Sequence, residues 1–141
     1  MNKTNEAIIQ EILALPHPRS KKKYLWGGDA PRVSQRAKHQ CEYCDLDLLA
    51  STENYRLWSI DHIIPKKRGG DHSFDNQALA CKICNCNWKG QWNPAAHFSP
   101  VQSPRDYIPM IRQYVNEQRE KTGVELDQLR RIVGYSTVAS S

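Results

Sequence analysis

The 141-residue chain is about one domain long, and a hydrophobic content of 39% with eight prolines allows only a modest core that needs reinforcement. The net charge of +5 and sequence pI of 9.0 favour a polyanionic partner such as nucleic acid without requiring one. No apolar stretch approaches the roughly 20 residues that span a bilayer, and the N-terminus lacks the features of a signal peptide, so the chain reads as cytoplasmic with no membrane partner.

In chain order, "NEAIIQEILAL" (5–15) places Ile8, Ile9, Ile12, Leu13 and Leu15 on a helical stripe that Pro16 and Pro18 end, which predicts a docking helix. The basic run "RSKKK" (19–23) and the following "YLWGGDAP" read as an exposed linker. A short helix is predicted over 33–40. "YRLWSID" (55–61) alternates as a strand does, and "QALAC" (77–81) is its expected partner across a long loop containing Gly69 and Gly70. The chain should then turn into a helix near Asn85. Ser103 as N-cap, Pro104 in the first helical position and Asp106 predict a helix over 104–121, closed by Gly123. A last amphipathic segment, Val124 to Val133, should stop at Gly134 before a polar tail. These elements suggest three regions: an N-terminal helix with basic linker (1–32), a core (33–98) and a helical extension (99–141).

The cysteines suggest what reinforces the core. Five are present, an odd count that makes a poor disulfide framework. Cys41-x-x-Cys44 and Cys81-x-x-Cys84 offer two pairs of thiolates, a donor set that suits tetrahedral zinc. The gap between the pairs is roughly twice the 15–20 residues of a common zinc ribbon, so a folded insertion must lie between them. Four sulfur ligands leave zinc no open position, which makes its role structural. Cys86 is the spare, read as packed or idle.

The insertion contains Asp61-His62 in an apolar run. On a strand the two side chains point to opposite faces, so one can hold a metal while the other faces a reactant. Taken alone, such a pair is more often a turn-capping aspartate beside a satisfied histidine. Its surroundings change that reading. "DHIIPKKRGG", "FDNQALAC" and "CKICN", framed by the two Cys pairs, resemble the zinc-bound branch of the HNH (His-Me finger) nucleases over roughly residues 41–90. The resemblance implies an α+β fold built on a ββα-metal unit braced by a four-cysteine zinc site, here with helical extensions at both ends. It implies a metal-dependent endonuclease acting on DNA, with His62 as general base, Asp61 and Asn85 holding one catalytic divalent cation, and Asn76 orienting His62. Oxygen ligands with open positions suit Mg2+ or Mn2+, with Ni2+ as a further candidate, while the thiolates select Zn2+.

In many relatives a lysine follows the final Asn by three residues, whereas Lys89 follows Asn85 by four, so Asn87 is a rival ligand. Lys66, Lys67 and Arg68 read as phosphate contacts in a glycine-bounded loop, and Lys89 reads either as a contact to the scissile phosphate or as a solvated side chain. His72 reads as a loop histidine, and Trp58, Trp88 and Trp92 as packing residues. Double-stranded DNA is the expected substrate, in a restriction, phage-defence or mobile-element setting, and the helical ends suit a protein partner. Two alternatives stay open: the same chemistry on RNA, and a non-catalytic zinc-knuckle module that binds nucleic acid or protein.

Overall fold

The computed structural model describes residues 3–15 and 26–136. The basic run 19–23, Pro16, Pro18 and tail residues 137–141 lie outside the described residues. Helix α1, Asn5–Leu13, opens on Thr4, whose hydroxyl oxygen accepts from the Ala7 N–H at 3.1 Å. It docks through Ile9, which is 1% exposed, and is clipped to helix α2 (Ala30–Arg36) by an Arg32–Glu6 ion pair at 2.9 Å, while Leu13 and Leu15 stay exposed. In the second half of the expected linker Gly27, Gly28 and Asp29 are exposed, whereas Trp26, Ala30 and Pro31 are buried. Trp26 is buried, lies 4.5 Å from the Trp58 ring and donates its indole N–H to Tyr55, because two large rings exclude more water together than either does alone. Helix α2 accordingly starts at Ala30, with Pro31 in its first turn, three residues ahead of the predicted start.

Strand β1 is Trp58–His62 and pairs antiparallel with β2, Gln77–Cys81, in a register running from Trp58↔Cys81 to His62↔Gln77. β1 begins later than predicted. Tyr55 and Arg56 belong to helix α3, Thr52–Arg56, whose cap is Ser51 accepting from the Asn54 N–H at 3.0 Å. Local capping outcompeted a pattern that also fits a strand. β2 matches its predicted span and is buried along its whole length, as expected for the central layer of a small domain.

The helix expected near Asn85 is a π-helix, Ile83–Lys89. At the C-terminal end, a Ser103/Asp106 capping box opens a 3₁₀ turn, Pro104–Tyr107, that leads into α4, Ile108–Val133. The predicted break at Gly123 does not occur. One interior glycine costs only about 1 kcal/mol, and good helix formers such as Lys121, Glu125 and Leu126 carry the helix through to Gly134, whose φ of +68° ends it. Among the described residues no helix is long and apolar enough to cross a membrane.

The core packs Trp58, Leu79 and Ile63 of the hairpin region against Val33, Leu48, Ile111 and Val115. Trp92 stacks on Tyr114 of α4, with centroids 4.1 Å apart and planes 3° from parallel. The architecture is thus α+β: a two-stranded hairpin and a following helix, a four-cysteine cluster and a helical C-terminal extension, consistent with a ββα-metal fold.

Candidate active site and metal centre

The ligand atoms of Cys41, Cys44, Cys81 and Cys84 all lie within 4.8 Å of one another. Cys44 and Cys81 place their sulfurs 3.8 Å apart, close to the edge of a tetrahedron with metal–sulfur bonds of about 2.3 Å. Each pair forms a knuckle in which a backbone N–H meets the first sulfur, Tyr43 to Cys41 at 3.4 Å and Cys84 to Cys81 at 3.3 Å. Contact among the thiols splits their acidities: Cys44 pushes Cys41 up and Cys41 pushes Cys84 up, while Cys41 pulls Cys44 down and Cys81 to about 7. Four sulfurs this close ionise together only around a cation, so the donor set fits structural zinc. The second knuckle follows β2 directly, and the first is tied to it by the Glu42 N–H to Leu79 oxygen bond at 2.8 Å. Cys86 is exposed and is not one of the four clustered cysteines.

Asp61 and His62 close strand β1 and differ in burial and in partners. Asp61 is 6% exposed and turns inward. Its Oδ2 accepts from the Tyr43 hydroxyl at 2.7 Å and lies 3.0 Å from the ammonium of Lys89. Burial pushes the Asp61 carboxyl above the usual carboxylate range, against the pull of Lys89 and Tyr43. Burial and the Asp61 charge also push Tyr43 up, which keeps its phenol protonated as a donor. Lys89 is 2% exposed and donates to the His62 carbonyl at 3.2 Å as well. The expected phosphate contact and the solvated alternative both differ from this placement, since the ammonium lies in the interior beneath the strand. The cause is the π-helix. Its i→i+5 bonding accommodates a residue more per turn, so the four-residue spacing from Asn85 to Lys89 returns the lysine to the strand.

His62 is half-buried, and its Nε2 lies 2.9 Å from Nδ1 of His72. Burial lowers its pKa first, and the neighbouring His72, Lys66 and Lys89 lower it further. It therefore stays neutral, and able to accept a proton, to a pH below the ordinary 6.5. Asn76, expected to orient His62, is buried and bonds loop backbone. Its Oδ1 accepts from the Ile64 N–H at 2.9 Å, and its amide nitrogen donates to the oxygens of Ile64 at 3.0 Å and Asp71 at 2.8 Å. It closes the loop 63–76 from inside. Gly70 lies against that closure: a Cβ there would sit 1.8 Å from the Ile64 oxygen.

Asp61, His62 and Asn85 line one cleft of about 210 Å³, together with Pro65, Lys66 and Lys67. Asn85 spends its amide nitrogen on Ser59 Oγ at 3.2 Å and the Ile60 oxygen at 3.3 Å, which leaves its amide oxygen to offer to a cation. Asn87, the rival ligand, is exposed and does not line the cleft, nor does Arg68, although Arg68 continues the exposed turn of Lys66 and Lys67. Residues 41–91 match the family model described as HNH endonuclease. This segment is an HNH domain. No curated protein and no solved structure matches the chain.

The HNH domain suggests nuclease activity in general and, with it, nucleic-acid binding. The oxygens of Asp61 and Asn85 are the donor types that suit a hard divalent cation, and both residues line the same cleft. Lys89 partly neutralises Asp61 in advance, so the HNH domain offers such a cation less than one full negative charge. Sequence reasoning passed over Tyr43, and it read His72 as a loop histidine, which it is, without its contact to His62. Tyr43 lies inside the first knuckle, where the cysteine pattern masked it, and His72 stands out only as a histidine in a polar loop.

Proposed function

We propose that this HNH domain is a metal-dependent DNA endonuclease, hydrolysing phosphodiester bonds to leave a 5′ phosphate and a 3′ hydroxyl. The observation that carries the reading is the convergence of His62, Asp61, Asn85, Lys66 and Lys67 on one cleft. His62 is the general base: its imidazole takes a proton from water as the water oxygen bonds to phosphorus and the bond to the 3′ oxygen breaks. Asp61 and Asn85 would hold one Mg2+ or Mn2+, which supplies stabilisation of the charge that develops on the phosphate oxygens and the leaving oxygen. Lys66, Lys67 and Arg68 hold the duplex backbone without reading sequence. Lys89 and Tyr43 keep the Asp61 carboxylate in place. Structural zinc on the four cysteines keeps the two segments of the site together.

The test is cleavage of supercoiled plasmid, single-stranded DNA and RNA by wild type and His62→Ala in Mg2+, Mn2+ and Ni2+. Loss of a general base lowers the rate by about 100-fold or more. The reading expects that loss on plasmid, with zinc content and circular dichroism unchanged. Equal rates in the two proteins would refute it, and preference for RNA would move the same chemistry to another substrate. The engagement of Asp61 by Lys89 and Tyr43 favours a second reading, a non-catalytic zinc module that binds nucleic acid or protein. That reading expects His62→Ala to bind DNA as wild type does, with cleavage by neither.

A further inference from the structure

The loop between the strands holds His72 more firmly than its exposure suggests. Its carbonyl accepts from the Gln77 amide at 3.0 Å. The preceding carbonyl, of Asp71, accepts from Asn76 at 2.8 Å. The following residue, Ser73, donates its N–H to the Asp71 carboxylate at 3.1 Å and its hydroxyl at 2.7 Å. Both Gln77 and Asn76 are buried, so His72 is carried on anchored backbone. Its ring is thereby set 5.1 Å from that of His62, with Nδ1 at 2.9 Å from Nε2 of His62.

At that distance one nitrogen donates and the other accepts. If His62 accepted, its single proton would sit on Nδ1, and neither ring nitrogen would be free for a water. If His62 donates from Nε2, its Nδ1 carries a lone pair, and His72 carries its own proton on Nε2. Only the second arrangement leaves His62 a free base, and it persists when His62 becomes an imidazolium, because Nε2–H donates in both forms.

We propose that His72 is the positioning residue of this site: by accepting the Nε2–H of His62 it selects the tautomer whose Nδ1 takes the proton from water. Asn76 acts one step back, by holding the loop that carries His72. The catalytic part of this inference rests on the assignment of His62 as general base, whereas the tautomer part does not.

The experiment is 15N-resolved NMR of the histidine rings in the zinc-loaded protein, for wild type, His72→Ala and His72→Gln, with plasmid cleavage measured on the same samples. The wild type should show His62 in the Nε2–H form, and His72→Ala should show a mixture of tautomers. His72→Gln, which keeps an acceptor, should restore the single form. Loss of an orienting partner of this kind costs about 10- to 100-fold, and here the loss should fall on kcat, with KM held within about twofold and most of kcat recovered by His72→Gln. An unchanged His62 tautomer in His72→Ala overturns the proposal, as does His72→Gln behaving like His72→Ala. Should His62→Ala cut plasmid as wild type does, the general-base assignment fails while the NMR comparison still decides the tautomer.

Discussion

At the scale of single residues, the buried Lys89–Asp61 pair couples stability to the site. Removing one partner of a buried pair strands the other charge in the interior, at a cost of about 3–5 kcal/mol. Lys89→Met should therefore lower unfolding free energy by about that amount, measured by urea denaturation, and Lys89→Met combined with Asp61→Asn should recover part of it. A lysine that touched only phosphate would show neither effect. The nearby asparagines divide their work: Asn76 satisfies backbone inside the loop, while Asn85 fixes its nitrogen on β1 and leaves its oxygen.

At the scale of elements, two glycines make opposite predictions. A Cβ on Gly70 collides with the Ile64 carbonyl, so Gly70→Ala must push the loop away from Asn76. It should cost about 1–3 kcal/mol in urea denaturation, since backbone cannot yield as a flexible side chain does. Gly123 lies inside α4 with open space where its Cβ would be. Gly123→Ala should stabilise by about 0.4–1 kcal/mol in the same measurement, because it lowers the entropy of the unfolded chain. The π-helix belongs to this scale too. The four-residue step from Asn85 to Lys89 is an irregularity in the sequence, and the wider helix absorbs it without displacing either residue from the strand.

For the whole molecule, the knuckles and α4 act as one clamp. Arg112 donates to the Glu42 carbonyl at 2.8 Å and to Asp45 at 2.6 Å, Arg105 pairs with Glu42, and Arg119 approaches the sulfur of Cys84 at 3.9 Å. These arginines join the C-terminal extension to both knuckles. Structural zinc contributes about 10–16 kcal/mol in isolated fingers, comparable to the whole stability of a domain. Chelation of zinc, or Cys44→Ser, should therefore abolish the cooperative thermal transition rather than shift it slightly. Calorimetry with and without chelator checks this.

The sequence by itself determined the parts that depend on local spacing: the two knuckles, the span of β2 and the helix stop at Gly134. These follow from a fixed backbone period or from residues two to three positions apart, and the ordered blocks between residues 41 and 91 made the family legible. Tertiary structure alone decided the partners of the polar side chains. Tyr43 meets Asp61 across 18 positions, Lys89 meets it from beyond β2, and His72 meets His62 across a closed loop. Such contacts depend on how a loop closes and how wide a helical turn is. Those are set by the competition of many weak interactions for one interior, and no local spacing encodes their outcome.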